Sequence, residues 1–169
     1  IKYWDDGWLK GVRIHHNTLV KAPYVGSYPG ENGEWDFALE LFNNFGVEID
    51  HNTVQGSLDF NYNRKGSYAH SVWVHDNRIE HVTPNTNTEM GIIFEFATQS
   101  ALVENNVINH QSTGVQFNTR SVTDRGGYDP VVPAPTLGYS ECTDNVIRNN
   151  QITNLYRGAG VGGSGGVLI

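Results

Sequence analysis

Three acidic residues fall at comparable places in separate short segments, and together they are the first candidates for chemistry. The segments are Phe37-Ala38-Leu39-Glu40-Leu41-Phe42, Leu58-Asp59-Phe60-Asn61-Tyr62, Ile92-Ile93-Phe94-Glu95-Phe96 and Val115-Gln116-Phe117-Asn118, and in each the alternate residues are large and apolar. Such alternation marks a strand with one buried face. The opposite face then carries Ala38 and Glu40, Asp59 and Asn61, Ile93 and Glu95, and Gln116 and Asn118. If successive segments stack as parallel strands about 4.8 Å apart, Glu40 and Glu95 stand roughly 9–10 Å apart with Asp59 between them. Inverting glycosidases hold two carboxyl groups roughly 6.5–9.5 Å apart, so a hydrolytic pair is geometrically allowed. Adjacent carboxylates also raise one another's pKa, which suits a general acid. The same trio, Glu40, Asp59 and Glu95, offers oxygen ligands for Ca²⁺, and a bound cation would hold the carboxylate of an acidic sugar. The plain alternative is a charged face that keeps the protein soluble.

A second chemistry is open beside the same face. The turn Asn63-Arg64-Lys65-Gly66-Ser67-Tyr68-Ala69-His70 supplies cations. Elimination from a uronic acid needs a base and positive charge to stabilise an enolate-like intermediate, roles for which Lys65 and Arg64 are candidates. A solvated turn accounts for the same residues without chemistry. Sugar rings stack on exposed aromatics through their apolar faces. Trp4 and Trp35, at or just before strand positions, and Tyr68 are therefore candidate substrate contacts, with Asn61, Gln116 and Asn118 as polar ones.

The elements that must position these residues are revealed by a repeat. Five segments share the form apolar, two polar or charged residues, Asn, any residue, apolar: Ile14–Leu19, Ile49–Val54, Val74–Ile79, Val103–Ile108 and Ile147–Ile152. Their asparagines, at 17, 52, 77, 106 and 150, are separated by 35, 25, 29 and 44 residues, as expected of loops of variable length inserted into a constant unit. The apolar residues alternate at period 2 and are rich in Val, Ile and Phe, which excludes a helical solenoid. Each unit therefore reads as strand, turn, strand, Asn, strand, loop, with the next unit stacked upon it. Asn suits the bend because it tolerates left-handed backbone and its amide can bond to the amides above and below. A β-sandwich with Asn-rich turns is the competing fold.

These five motifs and the alternating strands resemble the right-handed parallel β-helix proteins of the pectate-lyase-like superfamily, which include polysaccharide lyases, glycoside hydrolases and uronan epimerases. The resemblance implies an all-β fold, a right-handed parallel β-helix of about five to six coils with an internal Asn ladder. It implies a ligand lying along the exposed strand face, an extracellular polysaccharide or oligosaccharide as partner, and a secreted or cell-surface protein. Some lyases of this fold use a Lys base, an Arg and Ca²⁺, and Asp59, Asn61, Arg64 and Lys65 look loosely like such a set. The functional expectation is glycosidic bond cleavage by hydrolysis or β-elimination; a non-catalytic carbohydrate-binding or structural module is the alternative.

Composition limits the rest. One domain spanning 1–169 is expected. The chain has 18 acidic against 11 basic residues, scattered through the sequence, which argues against nucleic acid. Cys142 is the single cysteine, so no intrachain disulfide is expected. No apolar run approaches the roughly 20 residues that cross a bilayer. An opening without Met and an apolar final Val167-Leu168-Ile169 lead us to expect a piece of a longer chain, with end-to-end association or flanking domains at the uncapped ends. His15, Asp50, His75, Glu104 and Arg148 are expected to share one outward column, and His16, His51, Asp76, Asn105 and Asn149 the next. Their mixed signs are read as pairing between neighbouring units in preference to transition-metal ligation. The insertion Thr119–Thr143 is read as a cleft wall or partner contact, and the glycine-rich run 158–166 as a loop before a sixth strand.

Overall fold

The computed structural model describes residues 2–3, 9–21, 37–42, 44–61, 69–81, 90–94, 98–111, 113–117, 142–155 and 159–163. All the regular structure among them is β, in four sheets whose strands pair in parallel. Sheet I contains Lys2–Tyr3, Phe37–Phe42, Ser57–Asn61, Met90–Phe94, Thr113–Phe117 and Ala159–Gly163. Sheet II contains Leu9–Lys10, Asn44–Phe45, Ala69–His70, Thr98–Gln99 and Cys142–Thr143. Sheet III is built from Arg13–His15, Glu48–Asp50, Trp73–His75, Leu102–Glu104 and Val146–Arg148. Thr18–Val20, Thr53–Gln55, Arg78–Glu80, Val107–Asn109 and Gln151–Thr153 make sheet IV. The chain visits the four sheets in this order, pass after pass, and each strand pairs with its equivalents in the passes before and after. This arrangement is consistent with a parallel β-solenoid.

The inward residues explain why the passes stack. Ile14, Ile49, Val74, Val103 and Ile147 lie in one register column, and Leu19, Val54, Ile79, Ile108 and Ile152 in another. Leu39, Leu58, Ile92 and Val115 align in sheet I, where Phe60, Phe94 and Phe117 also stack ring on ring at 4.8 and 4.6 Å between centroids. Like sits on like because parallel pairing brings equivalent positions to one strand spacing. Most of these side chains are buried and belong to one core cluster.

The corners obey a local rule. Gly11, Gly46, Ser71, Ser100 and Asp144 have φ of 53–62° or close to it at the turn from sheet II to III, as do His16, His51, Asp76, Asn105 and Asn149 between III and IV. Gly, Asn, Asp and His are the types that visit left-handed backbone at least cost. The bend residue is thus the one before the repeated Asn, a correction to the expectation that the Asn itself takes the left-handed conformation. Having the turn made by its neighbour leaves the Asn side chain to be hydrogen-bonded inside.

Those bonds run from pass to pass. Asn52 Oδ1 accepts from Asn17 N–H at 2.9 Å, Asn77 Oδ1 from Asn52 N–H at 3.0 Å, Asn106 Oδ1 from Asn77 N–H at 3.1 Å, and Asn150 Oδ1 from Asn106 N–H at 2.9 Å. The Nδ2 group of each of Asn52, Asn77 and Asn106 donates to a carbonyl in its own pass, to one in the previous pass and to the next Asn Oδ1. Buried amides are tolerated when satisfied in this way.

Two further expectations are corrected here. The glycine-rich run contains a strand, Ala159–Gly163, paired with Thr113–Phe117, because a parallel ladder needs only backbone groups. Cys142–Thr143, placed by the sequence reading inside the long insertion, is the fifth strand of sheet II.

Candidate functional site

The acidic column expected on sheet I begins as foreseen. Glu40 is registered directly with Asp59, one strand spacing away, and Lys2 occupies the equivalent position in the pass before. The column then changes character, because Asp59 is followed by Ile93 and Ile93 by Gln116. Glu95, two residues beyond Ile93 in sequence, lies outside the described residues. Asn61 is paired at the backbone with Phe42.

Burial changes the picture of this face as well. Asp59 is 1% and Ile93 0% exposed, and Phe42 is equally enclosed, whereas Glu40 and Gln116 are partly exposed. Ala38, expected to point outward with Glu40, sits at an irregularity where the register shifts between Phe37 and Leu39, and it packs into the core. An extra residue at a bulge turns its side chain out of the strand alternation. The outer face of sheet I among the described residues is therefore not an open acidic row; it combines one accessible carboxylate, one buried carboxylate and two buried apolar side chains. Of the other expected site residues, Trp4, Trp35, Arg64, Lys65, Tyr68 and Asn118 lie outside the described residues.

A denser cluster occupies the outer face of sheet III. His15, Asp50, His75, Glu104 and Arg148 share one register column, as their spacing from the repeated Asn implies. Two residues earlier runs a column the sequence reading passed over: Arg13, Glu48, Trp73, Leu102 and Val146. The signal for it was present, since these are the first outward positions of the same five strands.

No protein-family model, curated protein or solved structure matches this chain.

Neighbouring passes in sheet III exchange charge. Arg13 grips Asp50 with two bonds, Nε to Oδ1 at 2.8 Å and Nη2 to Oδ2 at 2.7 Å, and its Nε lies 3.3 Å from Glu48 Oε1. This guanidinium holds the Asp50 carboxyl far below the usual carboxylate range against the opposing effect of burial, with His51 Nδ1 at 2.8 Å from Oδ2 adding to the depression. Glu104, one pass on from Trp73, accepts from Trp73 Nε1 at Oε1 at 3.0 Å and, from the following pass, from Arg148 Nε at Oε2 at 2.7 Å. The Glu104 carboxyl is lowered, first by Arg148.

His75 is the centre of this face. Its ring stacks under the Trp73 indole at 3.9 Å between centroids, and only 6% of the residue is exposed. Both ring nitrogens face carboxylates: Nδ1 lies 2.7 Å from Asp76 Oδ2 and Nε2 lies 3.2 Å from Glu48 Oε1. Among the described residues, Glu48, Asp50 and His75 form the group able to hold a metal ion, with candidate ligand atoms all within 4.8 Å of one another. At the corner a separate pair stacks, His16 on His51 at 5.0 Å and nearly parallel, while His51 meets His75 edge-on at 6.2 Å.

Proposed function

We propose that this chain is a right-handed parallel β-helix of about five to six coils, held by its Asn ladder, that acts on an extracellular polysaccharide through the outer face of sheet I. The observation that carries this reading is the direct registration of Glu40 with Asp59 on adjacent parallel strands. One strand spacing, about 4.8 Å, is nearer the roughly 5–5.5 Å carboxyl separation of retaining glycosidases than the wider gap that admits water in inverting ones. In that chemistry one carboxylic acid protonates the glycosidic oxygen while the other carboxylate attacks the sugar from the opposite side. Glu40 is the accessible member and takes the proton-donating role; Asp59 is enclosed beside Ile93, so the nucleophilic role requires that its side chain be uncovered when the glycan binds. For an acidic glycan the reading extends to Ca²⁺ held by carboxylates or to elimination, the roles expected from sequence for Glu95, Lys65 and Arg64, which lie outside the described residues. A secreted or cell-surface location belongs to this reading.

A second reading has its own support. The burial of Asp59 and the presence of Ile93 where a third carboxylate would extend the row favour a carbohydrate-binding or structural module without turnover.

Incubation with a panel of neutral and acidic polysaccharides separates the two. The catalytic reading expects new reducing ends, or ultraviolet absorbance from an unsaturated product, that vanish in Glu40→Gln while retention on a glycan affinity gel persists. Retention without turnover selects the module, and neither retention nor turnover on any glycan rejects the carbohydrate assignment.

A further inference from the structure

We propose that Glu48, Asp50 and His75, on the outer face of sheet III, form a binding site for a divalent transition-metal cation of the Zn²⁺ class. The site is separate from the sheet I face and independent of the polysaccharide reading.

The first argument is the hydrogen-bond inventory of His75. A neutral imidazole carries one N–H and one lone pair. Here both nitrogens meet carboxylate oxygens, Asp76 Oδ2 at 2.7 Å and Glu48 Oε1 at 3.2 Å. In either tautomer of the neutral ring one lone pair faces a carboxylate oxygen, and with the N–H on Nδ1 it is the Nε2 lone pair that faces Glu48 and is free to ligate. Two lone pairs at that distance repel unless a positive centre lies between or beside them, a place that the Arg13 guanidinium, 3.3 Å from the same Oε1, holds in this structure. With a metal ion in that place the two atoms become a ligand pair.

The second argument is geometric. Bonds of about 2.0–2.2 Å from zinc to nitrogen and oxygen place neighbouring tetrahedral ligands about 3.3–3.5 Å apart, and Nε2 and Oε1 are already at 3.2 Å. The Asp50 carboxylate completes a set within 4.8 Å, so it has to close by about an ångström. Asp76 on Nδ1 is the outer carboxylate that orients a metal-binding histidine and raises its basicity. The Trp73 ring packed on His75 fixes the imidazole plane.

The third argument is charge. Glu48, Asp50 and Asp76 gather about one histidine, Arg13 is in ion-pair contact with both Glu48 and Asp50, and His51 Nδ1 lies 2.8 Å from Asp50 Oδ2. The Arg13 side chain is 50% exposed, so it can swing outward when a metal takes its place, while Asp50 stays buried. Arg13 therefore acts as a competing cation that lowers metal affinity. Imidazole with carboxylates suits Zn²⁺ and its neighbours better than Ca²⁺ or Mg²⁺, which prefer oxygen alone.

The test uses the full chain after chelator treatment, titrated calorimetrically with Zn²⁺ and, in parallel, with Co²⁺ read by visible absorption. We expect one saturable equivalent, lost in His75→Gln. Asp76→Asn, at an exposed corner position, keeps the fold and weakens binding about 10–100-fold. Arg13→Gln tightens it. Circular dichroism of each variant separates lost binding from lost folding, and Asp76→Asn with Arg13→Gln carry the test if His75→Gln unfolds. Absence of saturable Zn²⁺ binding to the folded chain would overturn the proposal. Binding that survives His75→Gln, at His15, His16 or His51, overturns it equally.

Discussion

Asn77→Ala removes the middle of the hydrogen-bonded Asn column, and the cost can be worked from its partners. The residue is 2% exposed. Its Oδ1 is the acceptor for both the backbone N–H and the Nδ2 of Asn52, each at 3.0 Å. Its Nδ2 donates to Ile49 O at 2.8 Å, His75 O at 2.9 Å and Asn106 Oδ1 at 3.0 Å. Asn106 Oδ1 keeps the backbone N–H of residue 77, and Asn52 Nδ2 keeps two carbonyls, so the N–H of Asn52 is the group most severely stranded. One stranded buried donor costs about 1–3 kcal/mol, and two or three further bonds lost near water-free carbonyls cost about 1 kcal/mol each. The expected loss is about 3–6 kcal/mol. Asn17→Ala is the internal control, because Asn17 is exposed and Asn52 Oδ1 retains the backbone N–H of residue 17 after truncation; its expected loss is about 1 kcal/mol. Urea unfolding of wild type and both variants gives the free energies, provided the m-value is unchanged. Equal losses for the two variants, or less than about 1 kcal/mol for Asn77→Ala, would refute the reasoning that interior hydrogen bonds between passes hold the stack.

Two other outcomes follow from single contacts. At Gly91 an added Cβ would meet Ile108 Cγ2 at 2.5 Å and the Gly114 carbonyl oxygen at 2.7 Å, so Gly91→Ala forces backbone of two passes apart; a loss of about 1–3 kcal/mol is expected in the same urea assay, and a neutral result would contradict the packing. Because Arg148 lowers the Glu104 carboxyl, that pair contributes stability above the ordinary Glu range near pH 4.3 and loses it as pH falls toward the lowered value. The melting temperature of Arg148→Gln is thus expected below wild type at neutral pH, with the gap closing on acidification; a gap that widens in acid would contradict the assignment.

Much of the fold could be read from residue types because its signals are local and repeated. The segments around Asn17, Asn52, Asn77, Asn106 and Asn150 each carry an apolar residue three before and two after the Asn, and these become the inward columns of sheets III and IV. The two-residue strands of sheet II were not legible, since Asn44–Phe45 or Thr98–Gln99 is too short to show a period. Nor was Ala159–Gly163, where backbone pairing alone makes the strand. At the candidate sites the outward column through His15, Asp50 and His75 was legible from spacing, but its chemistry was not. The bonds that define it, Arg13 to Asp50 and His75 to Glu48, join residues 37 and 27 positions apart whose alignment depends on loop lengths. Likewise no local pattern announces that Asp59 is enclosed, because burial of an outward side chain is decided by what lies over it.

Both candidate sites rest on one claim, that equivalent positions of successive passes stand over one another at the strand spacing. Thr18, Thr53, Arg78, Val107 and Gln151 form such a column on sheet IV, and the two end residues are exposed. Spin labels at Thr18 and Gln151 measure it across four spacings by pulsed electron–electron resonance. The stacked passes predict a single narrow distribution centred near 19 Å, widened by the label linkers. A broad distribution, or a mean far beyond that separation, would contradict the stack and with it the pairing of Glu40 with Asp59 and of Glu48 with His75.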